Sequence, residues 1–283
     1  MILPTVIYYP EGYKMGYQSG QLSIANSLPT VESVPLFAKG LKRFSYGVLS
    51  KSRKGRLAAE SPGLTDNISL LTETTFVTIA AILAIRLLAA SFISNAAWLV
   101  SPGILVATAL IPTAIRRAEF PKISLNIKQI CPTLLVVCRT CVVVFSALFA
   151  GLWLLKSIGL GLPLQALQPK EQGWVSWLFY QFMYVAVAEE VFFRGYVQNN
   201  ILKLTNPGKG SQCRLWKWLS IVLSAACFAA AHIIVQGRVI LVLTFLPGLV
   251  LGWLFIRTRS LLAPILFHGL ANTCYCVMAA ALI

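Results

Sequence analysis

Long apolar stretches alternate with short polar ones along most of this chain. They lie near residues 70–94, 96–115, 131–156, 174–198, 216–236, 239–256 and 261–282. Each approaches the roughly 20 residues that an α-helix needs to cross hydrocarbon. The pattern predicts an all-α fold: a polytopic transmembrane helical bundle of about seven spans, or eight, enclosing a polar cavity. Residues 1–68 break the rhythm and read as a separate basic arm, leaving 69–283 as the membrane domain. Within the arm, Phe37, Leu41, Phe44 and Val48 recur at helical spacing among Lys39, Lys42, Arg43 and Lys51. Such a segment is either an amphipathic helix lying on an anionic leaflet or a solvated basic linker. Gly40 and Gly47 weaken the helical reading.

Composition supports a membrane protein over a soluble one. Apolar residues make up 57%, charged residues 12%, and mean hydropathy is +0.75, against about 25% charged in average globular chains. The net charge of +15 raises nucleic acid as a partner, but the positions of the charges give a better account. Nineteen of the 24 Lys and Arg fall in the arm, the 116–128 loop, the 194–217 stretch and the 257–259 turn. All of these share one side if the arm is inside. Arg86 and Arg139 fall within spans, and Arg86 is expected to face other helices or to snorkel. The positive-inside rule then puts the N-terminus in the cytoplasm, with lipids as the surrounding partner and no nucleic acid. Residues 1–20 lack a basic start followed by an apolar core, so no cleavable signal is expected. Seven cysteines form no secreted framework. The spacing of Cys138 and Cys141 matches a redox motif but lies mid-span, where small buried hydrophobes are the plainer reading.

Against this apolar background a few polar residues stand out. Glu189 and Glu190 are adjacent within Phe-Met-Tyr-Val-Ala-Val-Ala-Glu-Glu-Val-Phe-Phe-Arg, residues 182–194, and both histidines, His232 and His268, also lie in apolar segments. An intramembrane carboxylate costs a few kcal/mol, so a working site is the default reading. The pairs Glu190/Arg194, Phe228/His232 and His268/Asn272 are each four residues apart, hence on one helix face. Glu190 and Arg194 would form a clamp, leaving Glu189 reactive about 100° around the helix. A carboxylate beside a neutral histidine such as His232 polarises water and accepts its proton. His268 and Asn272 are donors suited to an oxyanion. Together these groups point to peptide-bond hydrolysis.

The series Glu-Glu-x-x-x-Arg, Phe-x-x-x-His and His-x-x-x-Asn resembles the type II CAAX prenyl endopeptidase family, also called Abi or CPBP. The intervening stretch from Gly252 to His268 is similar to its prokaryotic members. The resemblance covers roughly residues 172–276. It implies an intramembrane endopeptidase of a prokaryotic plasma membrane, acting on a membrane-associated protein or peptide. In that family's pattern Glu189 and His232 activate water, His268 and Asn272 steady the oxyanion, and Glu190 and Arg194 support them. No cofactor is expected. A zinc-dependent version of the same hydrolysis would use Glu189, His232 and His268 as ligands with an open position for water, though a His-Glu-x-x-His signature is absent. Two readings from other classes compete: a proton-coupled transporter, since intramembrane Glu, His and Arg also build proton relays, and a non-enzymatic immunity protein. The spans leave His232 near the outer face, while Glu189 and His268 lie nearer the cytoplasm.

Overall fold

The computed structural model describes residues 64–91, 97–121, 127–159, 173–204 and 211–282. Of the expected arm over 1–68, residues 1–63, which include its amphipathic segment, lie outside the described residues. Seven helical stretches follow one another: α1 (Leu64–Ala90), α2 (Ala97–Ile115), α3 (Ile127–Ser157), α4 (174–204), α5 (Ser211–Gln236), α6 (Phe245–Thr258) and α7 (Leu262–Leu282). A 3-10 turn, Val239–Thr244, leads into α6. No strand occurs among the described residues. Five stretches are long and apolar enough to span a membrane, and α2 is a shorter apolar helix. Integral membrane placement and the expected helical bundle follow.

Helix α1 begins at Leu64, before the expected boundary at 69, with Asp66 in its first turn, where a carboxylate favours the positive end of the helix dipole. Pro102 and Pro112 sit inside α2 and Pro132 inside α3. Pro247 and Pro264 occupy the first turns of α6 and α7, where the missing N–H is no loss. A tight turn joins α6 to α7. Arg259 takes a left-handed φ of 53° and its N–H bonds Phe255 O, while Ser260 Oγ accepts from Leu262 N–H.

Helix α4 is the hub, touching α1, α2, α5, α6 and α7. It alternates between α turns and two π segments, Tyr180–Ala186 and Val191–Gln198. Close approach to its neighbours depends on small residues. A Cβ on Gly195 would strike the Phe120 ring, and one on Gly269 would meet Phe182 at 2.5 Å. Gly248 and Gly252, four apart on α6, meet Ala225 and Ile221 of α5 at 3.1 Å, the small-xxx-small pattern of membrane helix packing. The main core joins Ile85, Leu105, Phe192, Phe193, Tyr196 and Phe228, and a smaller one joins Val137, Leu254 and Phe267.

Polar residues also bind α1 and α2 to α4. Glu73 pairs with Arg116 Nε at 3.1 Å and accepts the Tyr196 hydroxyl at 2.9 Å, and Asn200 donates to Thr74 Oγ1 at 3.2 Å. Arg86 is exposed, one turn from the end of α1. It therefore does not face other helices, and its long side chain can reach an interface instead.

Candidate active site

Helices α4, α5 and α7 bring the polar residues of the apolar spans into one buried cluster. Glu189, Glu190, Arg194 and His232 are 0% exposed, His268 4% and Asn272 8%. The polar interior expected for the bundle is occupied here by these closely packed side chains.

Glu190 and Arg194 meet one turn apart on α4. Arg194 Nη1 donates to Glu190 Oε1 at 3.1 Å, and Nη2 donates to Gly248 O on α6 at 3.0 Å. The guanidinium carbon also lies 4.7 Å from the centre of the Phe228 ring. A buried cation is tolerable only with compensation of this kind, from a counter-ion, a carbonyl dipole and a π face. Glycine at 248 lets the α6 backbone come near. The clamp expected between Glu190 and Arg194 is therefore present and extends to a third helix.

His268 touches both carboxylates. Its Nδ1 lies 2.7 Å from Glu190 Oε1 and its Nε2 lies 3.7 Å from Glu189 Oε2. Glu190 carries a carboxylate, so Nδ1 bears the hydrogen and donates. In the neutral ring Nε2 would then oppose an oxygen of Glu189, lone pair to lone pair, unless a proton lies on one of them.

His232 is held differently. Its Nδ1 lies 2.8 Å from Phe228 O in its own helix, which fixes Nδ1 as donor and leaves Nε2 as the acceptor nitrogen. Phe228 packs between the imidazoles, 4.4 Å from the His232 ring and 5.9 Å from the His268 ring, centre to centre. The expected mismatch in depth disappears because α4 continues to residue 204, placing Glu189 at its middle. Ser224 Oγ donates to Phe193 O at 2.9 Å and sets the register of α5 on α4. From that level His232 lies about 12 Å along α5 and Glu189 about 6 Å back along α4, so side chains span the remainder.

Asn272 donates through Nδ2 to Gln181 Oε1 at 3.0 Å. Sequence reasoning passed over Gln181, and also the Phe228 ring and the Gly248 carbonyl as partners of Arg194. A glutamine inside Phe-Tyr-Gln-Phe-Met-Tyr was visible as a lone polar residue in an apolar span, but at eight residues from Glu189 it matched no α-helical face. Cys138 is exposed, Cys141 half-buried, and no disulfide joins them.

Residues 171–274 match the family model described as Rce1-like, type II CAAX prenyl endopeptidase Rce1-like. Over this stretch the chain is similar to CAAX prenyl endopeptidases. That family is one of proteases acting on membrane-associated proteins, so the chain is a CAAX-protease-like enzyme of the membrane. The match covers the same stretch as the three sequence motifs and all of their residues. No curated protein and no solved structure matches the chain.

Zinc is the metal that the alternative chemistry would require, and one carboxylate with two imidazoles suits it in kind. Placement does not follow. Among the described residues no three His, Cys, Asp or Glu side chains gather as a group that could hold a metal ion. The set Glu189, His232 and His268 does not fit the ion as arranged.

Proposed function

We propose that this protein hydrolyses a peptide bond within the membrane by metal-free activation of water. Glu189 is the general base, and His232 Nε2 is the second acceptor that orients the attacking water. The water oxygen adds to the scissile carbonyl carbon while its proton passes to Glu189. The carbonyl π electrons move onto oxygen, where Asn272 Nδ2–H and, with the ring protonated, His268 Nε2–H stabilise the charge. On collapse the C–N bond breaks and Glu189 returns the proton to the departing amine. Glu190 and Arg194 touch no reacting atom; they fix the His268 ring through Nδ1. The observation that carries this reading is His268 with one ring nitrogen on each of two adjacent buried carboxylates. That arrangement supplies a base and a pre-aimed donor in a dry setting.

The substrate is a membrane-associated protein or peptide, and a prenylated C-terminal CAAX segment is the first class to try given the family's description. The charge asymmetry of the loops supports a cytoplasmic N-terminus, and the resemblance to prokaryotic sequences supports a prokaryotic plasma membrane as its location. The deciding experiment incubates membranes holding the wild type or Glu189→Gln with an internally quenched peptide of that class. Cleavage by the wild type alone supports the reading. Equal cleavage by the variant removes Glu189 from the chemistry.

A further inference from the structure

Gln181 lies in the first π segment of α4 and is completely buried. Its Oε1 accepts from Asn272, but its Nε2 is also buried and has no hydrogen-bond partner among the described residues. An unmade buried amide donor costs about 1–3 kcal/mol. Packing alone would be served better by leucine or methionine at this position.

Backbone geometry explains how a residue so far along the chain reaches the site. Eight regular α-helical steps would rotate Gln181 about 80° away from the face of Glu189. A π turn rotates each residue less, roughly 80° in place of 100°, so the π segment from Tyr180 to Ala186 brings the two to within about 30°. The same segment packs tightly on α7, because Gly269 presents no Cβ to Phe182. That closeness puts Gln181 within bonding reach of Asn272, one turn beyond His268 on the same helix.

We propose that Gln181 is a further donor to the oxyanion formed at this site, acting through Nε2–H beside Asn272. This inference deepens the endopeptidase reading and rests on it. By accepting the Asn272 N–H, the Gln181 carbonyl draws electron density from its own nitrogen and strengthens the remaining donor. The same bond aims the Asn272 amide, whose second hydrogen stays available. Two side-chain amides and one imidazole then converge where charge develops, and no covalent change occurs at Gln181.

The experiment uses the full chain in lipid nanodiscs and an internally quenched farnesylated peptide ending in a CAAX sequence. Wild type and Glu189→Gln test the underlying reading. If the wild type cleaves nothing, or Glu189→Gln cleaves equally, that reading falls and this proposal falls with it. If the reading stands, Gln181→Met is expected to lower kcat about 10²-fold or more, with KM within threefold. A kcat loss below tenfold overturns the proposal. Single-turnover rates of Asn272→Ala with and without Gln181→Met separate a donor from a residue that only holds Asn272. A donor costs at least a further tenfold in the Asn272→Ala background, and a smaller loss there overturns the proposal. Thermal melting checks that each variant folds, and Gln181→Leu replaces Gln181→Met if the latter does not.

Discussion

Helices α3 and α4 are both long and mostly apolar, yet they occupy opposite extremes of the bundle. Among the described side chains of α3 only Thr133 and Val137 are buried, and its neighbour is α7, against which Phe145 stacks on Phe267 at 5.6 Å. In α4 every residue from Ala188 to Gln198 is buried, two glutamates and an arginine among them. Hydrophobicity therefore does not decide which membrane helix lies inside. Lipid tails receive Val142, Val143 and Leu154 of α3 as readily as protein would. What draws α4 to the centre is its demand for partners, since beyond their own helix Glu190, Arg194 and Gln198 find them on α5, α6 and α7, together with glycines that let backbones approach.

Each side of that contrast can be broken separately. The largest effect is expected from His268→Ala, which removes the ring between the two carboxylates. Peptide cleavage should fall about 10³-fold or more, read as kcat in nanodiscs. Arg194→Met comes next, because it strands Glu190 without its buried counter-ion. Unfolding in mixed micelles should show a loss of about 3–5 kcal/mol. Gly269→Val forces a side chain against Phe182 and should cost about 1–3 kcal/mol, visible as a lower melting temperature. Arg139→Leu on α3 is the matched control for Arg194. Its guanidinium is exposed and outside the core, so stability should change by less than about 0.5 kcal/mol. A drop there as large as that of Arg194→Met would end the distinction between the two helices. The smallest effect is expected from chelation, since the charges of α4 are balanced by protein groups. Cleavage after prolonged phenanthroline treatment should stay within twofold of the untreated enzyme.

Several parts of the site were legible beforehand for plain physical reasons. Glutamate, histidine and arginine are so costly in hydrocarbon that their appearance at four-residue spacing marked Glu189, Glu190, Arg194, His232, His268 and Asn272 directly. Spans were equally visible, because length and apolarity are local properties. Apolarity alone ends α4 at 198 and so leaves His232 at the wrong depth, whereas the helix runs on through buried Asn200 to 204. Gln181 was missed because a π turn changes the angular step, and nothing in the residue types from Tyr180 to Ala186 announces it.

The sequence alone determined that this is a helical membrane protein with its costly polar residues concentrated in α4, α5 and α7, since transfer energies act residue by residue. It also carried the family resemblance, through motifs whose spacing follows the α-helical turn. Tertiary structure decided which histidine nitrogen meets which carboxylate, that Asn272 bonds Gln181, and that Arg194 rests on Gly248 O and the Phe228 ring. Those pairings depend on helix register and rotation, set by steric contacts at glycines and by π turns. Such contacts join residues up to 91 positions apart in the chain, beyond the reach of any local pattern.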